Sequence, residues 1–114
     1  MARSPAAAPR RAPSPTRAAF TRLSTVLQRG ASPDRMTREV DGVVDDLRAS
    51  GEPEDVRNWL EELRDGFAEA AEAAAEAVDE VDSSEKAARR HAENAAQAMV
   101  AIRDAFARHL EAPA

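Results

Sequence analysis

Two imidazoles and a run of carboxylates are the side chains of this sequence that invite a catalytic or metal-binding reading. The chain has two histidines, His91 and His109, and neither cysteine nor tyrosine. A di-iron site in a helical bundle draws on Glu-x-x-His motifs. Three residues before His91 stands Ala88, and three before His109 stands Phe106. The two histidines are also too far apart for the one-turn pair that zinc takes from a helix. His91, beside Arg89 and Arg90, reads as a solvent-edge residue. His109 lies close to a predicted helix C-terminus, where its positive form complements the helix dipole. Without cysteine there is no thiolate nucleophile and no disulfide. No group of residues assembles a nucleophile, a base and an oxyanion donor. The expectation is therefore a protein that is not an enzyme, with no cofactor, no metal ligands and no small-molecule ligand.

The carboxylates are Glu69, Glu72, Glu76, Asp79 and Glu80. On a helix they fall opposite the alanines of the same segment, which makes them the solvated face of an alanine-rich helix. Calcium loops need glycine and alternating oxygen ligands, and this run has neither. Charge is partitioned along the chain. Residues 1–31 carry Arg3, Arg10, Arg11, Arg17, Arg22 and Arg29 with no acid, whereas residues 32–82 carry 17 acids and five arginines. The net charge of −5 averages over that opposition. The basic start admits three readings: unspecific binding of nucleic acid or an acidic partner, an organellar or secretory address, or a passive extension. Six arginines without interleaved aromatics leave the passive reading ahead. Cytoplasmic localisation is expected, or organellar or secreted placement if the start is an address. No segment has the length and apolarity of a membrane span.

Behind these residues stand elements that proline, glycine and serine mark clearly. Residues 1–15 hold Pro5, Pro9, Pro13 and Pro15 among alanine, serine and arginine, which predicts a disordered tail. Residues 16–114 read as one small helical domain. Thr16 can cap a helix over 17–28, with Phe20, Leu23 and Leu27 on one face and Gly30 beyond its end. Ser32, Pro33 and Asp34 open a second helix over 33–49, striped by Met36, Val40, Val43, Val44 and Leu47 and stopped by Gly51. Pro53 opens a third.

From there the sequence is a mirror in side-chain size about Asp82-Ser83-Ser84. Upstream the apolar positions are Trp59, Leu60, Leu63, Phe67, Ala70, Ala74, Ala77 and Val81. Downstream they are Ala88, Ala92, Ala95, Met99, Ile102, Phe106 and Leu110. Each arm keeps a three-four alternation, and the two registers do not join. The pattern predicts an all-α fold built on an antiparallel hairpin of helices at about 53–81 and 84–111, with two shorter helices packed at its bulky end and Asp82 or Ser83 capping the return. The alternative is one long coiled-coil helix over 53–111, since no glycine or proline forces the turn.

The core looks thin. Alanine accounts for 27 of the 114 residues, and alanine forms helix readily but buries little. Large apolar residues are scarce enough that folding should draw on other surface. A homo-oligomer or a partner protein is expected to supply it. The bulky end, with Trp59, Leu60, Leu63, Phe67, Met99, Ile102, Phe106 and Leu110, is the expected interaction surface, and Trp59 its anchor. The functional expectation is a helical interaction or assembly subunit. A nucleic-acid-associated protein using the basic start is one alternative, and a targeted small subunit is another.

Overall fold

A computed structural model describes residues 14–111. It contains four α-helices, α1 (Pro15–Gln28), α2 (Pro33–Ser50), α3 (Pro53–Glu80) and α4 (Lys86–Glu111), and no strand among the described residues. The all-helical class is as the sequence reads. The expected tail falls almost wholly on residues 1–13, which lie outside the described residues.

Each of the first three helices has proline in its first turn, where the missing N–H removes nothing the helix needs. For α1 the cap is Ser14, not Thr16: the Arg17 N–H donates to Ser14 Oγ at 3.2 Å. Pro15 extends the helix one residue upstream of the expected cap and turns Thr16 inward, where it is 6% exposed. Ser32 caps α2 as expected, its Oγ accepting from the Arg35 N–H at 3.1 Å. Glu52, at the cap position of α3, makes no side-chain cap bond.

The helical run from Pro53 is interrupted between Val81 and Glu85, so the chain does not form the continuous 53–111 helix. Asp82 holds the break. Its Oδ1 accepts from the Ser84 N–H at 2.9 Å and from the Ser84 hydroxyl at 2.9 Å. Its carbonyl oxygen accepts from the Glu85 N–H at 2.9 Å, closing a turn, and α4 then starts at Lys86. Asp82 thus braces the turn and does not itself cap α4. An Asx-type bond of this kind competes with helix for the backbone, which is how a glycine-free segment turns.

Beyond the turn α4 packs back along α3. Phe67 of α3 lies against Phe106 of α4, with ring centroids 6.4 Å apart. The Arg57 guanidinium near the start of α3 donates to the Leu110 carbonyl near the end of α4 at 3.4 Å. The buried set is Val56, Leu60, Leu63, Phe67 and Ala71 on α3, and Ala98, Ile102, Ala105, Phe106 and Leu110 on α4. This corrects the expected seam. Ala71 is buried while Ala70 and Ala74 are only half-buried and Ala77 is exposed. On α4, Ala98 and Ala105 are buried while Met99, Ala92 and Ala95 are half-buried and Ala88 is exposed. At its bulky end α4 packs on α2 as well as on α3, whereas Ala88, Ala92 and Ala95 lie beyond the reach of the two short helices.

The core is closed by α2 through Met36, Val40, Val43, Val44 and Leu47, all buried as expected. From α1 it takes Thr16, Ala19 and Leu23. Phe20 was expected in this stripe and lies outside it, 40% exposed. It lies one turn from Thr16 on the same side of α1 and stacks on Phe67 at the edge of the core.

Candidate interaction surface

The residues expected at an interface are mostly consumed by the molecule itself. Leu60, Leu63, Phe67, Ile102, Phe106 and Leu110 are buried in the intramolecular core, while Trp59 and Met99 are half-buried. The sequence reads these stripes as surface awaiting a partner because it cannot weigh how much α1 and α2 cover. Trp59 packs against the core from its edge. Its ring lies over Gly51, where an added Cβ would stand 2.5 Å from Cζ3.

Phe20 is the large apolar side chain left exposed among the described residues. It stacks on Phe67 with centroids 4.6 Å apart and planes inclined by 20°. The ring also lies over Gly66, where an added Cβ would stand 3.6 Å from Phe20 Cε2, an ordinary contact. One turn of α1 earlier, the Thr16 hydroxyl donates to Glu62 Oε2 at 2.8 Å. These contacts fix α1 on the Glu62–Phe67 stretch of α3.

Past that stretch α3 and α4 run on together. At ~1.5 Å rise per residue, α3 is about 42 Å long against about 27 Å for α2 and about 21 Å for α1. The two short helices therefore leave the distal arm of α3 and α4 uncovered. Its apolar residues are alanines, with Ala73, Ala77, Ala87 and Ala88 exposed and Ala70, Ala74, Ala92 and Ala95 half-buried, together with half-buried Val78 and Val81. Ala70 lies one turn beyond Gly66, so this face runs up to the Phe20 ring. From Asp65 to Asp82 the chain carries seven acids and no base. Among the described residues, Glu69, Glu72, Glu76, Asp79 and Glu80 enter none of the ion pairs found. On the α4 side Arg89 pairs with Glu93 at 3.6 Å within the helix.

The arginines of the basic start are not one patch. Arg3, Arg10 and Arg11 lie outside the described residues. Arg22 is engaged across the α1–α2 contact, with Nη1 2.8 Å from Asp46 and Nε 3.8 Å from Glu39. Arg17 and Arg29 are exposed. The Arg22–Asp46 pair edges an open groove of about 340 Å³ between α1 and α2, lined by Pro15, Ala18, Ala19, Val43 and Leu47. It presents no pair of groups for acid–base or nucleophilic chemistry. His109 Nε2 lies 2.8 Å from Asp41 Oδ1, linking α4 to α2, while His91 is exposed on the arm. Among the described residues no three His, Cys, Asp or Glu side chains come together as a metal-binding group. Among the described residues no helix is long and apolar enough to cross a membrane. Compared with family models, with curated proteins and with solved structures, the chain finds no match.

Proposed function

We propose that this protein is a non-enzymatic helical interaction or assembly subunit, which self-associates or docks on a larger complex through apolar faces of its amphipathic helices. In this reading α3 and α4 act as an antiparallel hairpin. Its bulky end is closed by α1 and α2, and its alanine end is held outward. The observation that supports it is the distal arm, where exposed and half-buried alanines and two half-buried valines lead to an exposed phenylalanine. Small side chains permit close helix–helix approach, and an amphipathic pair that leaves one apolar face open gains by covering it.

The test is size-exclusion chromatography with light scattering from micromolar to near-millimolar protein, paired with Ala77→Glu and Phe20→Asp. Ala77 is exposed, so Ala77→Glu keeps the fold; Phe20→Asp also removes the stacking on Phe67, and it is read only where circular dichroism shows native helix content and cooperative melting. A mass rising above 12.3 kDa that falls back in the variants supports self-association. Retention of a defined partner from the native source, lost in the same variants, supports docking. A cooperatively melting monomer at every concentration, with no partner that the variants release, overturns the proposal. Leu63→Asp and Phe106→Asp, which the sequence alone would suggest for this purpose, are unsuited: both residues are buried and a charge there unfolds the chain.

A further inference from the structure

We draw no further inference here: the strongest candidate, the uncovered alanine face of the α3–α4 arm that runs up to Phe20, belongs to the surface already described, and nothing in the structure shows what covers it.

Discussion

Gly30 and Gly51 follow α1 and α2, read alike in the sequence as helix stops, and are needed for opposite reasons. Gly30 has a φ of 79° with nothing within 4 Å of an added Cβ, so its requirement lies in the backbone, where an L side chain meets its own carbonyl. Gly51 has a φ of −144° and a ψ of 166°, extended geometry that any residue adopts. There the requirement is space, because the Trp59 ring occupies the position of a Cβ. Gly30→Ala should cost about 1–2 kcal/mol and leave tryptophan emission unchanged. Gly51→Ala should cost about 1–3 kcal/mol by overpacking and shift the emission to the red as the ring is pushed toward water. Chemical denaturation followed by fluorescence checks both. An unshifted spectrum in Gly51→Ala would mean that Trp59 does not rest on that glycine. Such a pair marks what is legible from sequence: the stop is visible in both cases, but the ring eight residues downstream that makes one of them obligatory is not.

At the scale of elements, α1 is held by few contacts, and their types explain why its face was misread. Periodicity chooses Phe20 as buried because phenylalanine is the largest apolar residue available at that spacing. Thr16, one turn earlier on the same side of α1, is the buried one; its hydroxyl donates to Glu62 at 2.8 Å, while Phe20 lies on Phe67 at the edge of the core. Leu23 is the one large side chain of α1 with no exposure. Leu23→Ala should therefore cost about 2–5 kcal/mol and release α1 from α3, seen as amide exchange across 15–28 rising well ahead of that at 56–67. Uniform protection loss would mean that α1 and α3 open as one unit. The break between α3 and α4 is braced by the Asp82 carboxylate. The Ser84 N–H, and then its hydroxyl, hold the Asp82 carboxyl below the usual carboxylate range. With the native value lowered, the contribution of Asp82 is complete above the unfolded value and is lost as the pH falls through the native one. Amides at Ser84 and Glu85 should thus lose protection on acidification below about pH 4, and Asp82→Ala should show the same loss at neutral pH. If Asp82→Ala leaves those amides protected, the backbone turn stands without the carboxylate. The position of this break was legible from the mirror in side-chain size. Its mechanism was only half legible, since Asp82 was visible as a polar cap candidate but its bonds to Ser84 were not.

Across the whole molecule, apolar burial and charge are distributed unevenly along the same long helices. The large core residues gather where four helices meet, and the distal arm has two helices, small side chains and like charges. Exposed ion pairs add little to stability in general, and the pairs here are mostly of that kind. The Arg35–Glu39, Arg57–Glu61 and Arg89–Glu93 pairs stay within one helix, so they do not join elements. The Arg22–Asp46 and His109–Asp41 contacts do. Against them stands the uncompensated acidity from Glu69 to Asp82, whose mutual repulsion is screened by salt, with a Debye length of ~10 Å at 0.1 M. If repulsion along α3 outweighs the few pairs between elements, raising sodium chloride from low to near-molar concentration should raise the Tm by several degrees and increase helicity first in the arm. Sodium sulfate is avoided, because it also strengthens apolar burial. Substituting Glu72→Gln and Glu76→Gln together should reproduce part of the rise at low salt and flatten the remaining salt dependence. A Tm that falls with salt would assign the larger role to the pairs of Arg22 with Asp46 and Glu39. It would also mean that the arm is held straight by α4 strongly enough to tolerate the acidity of α3 unaided.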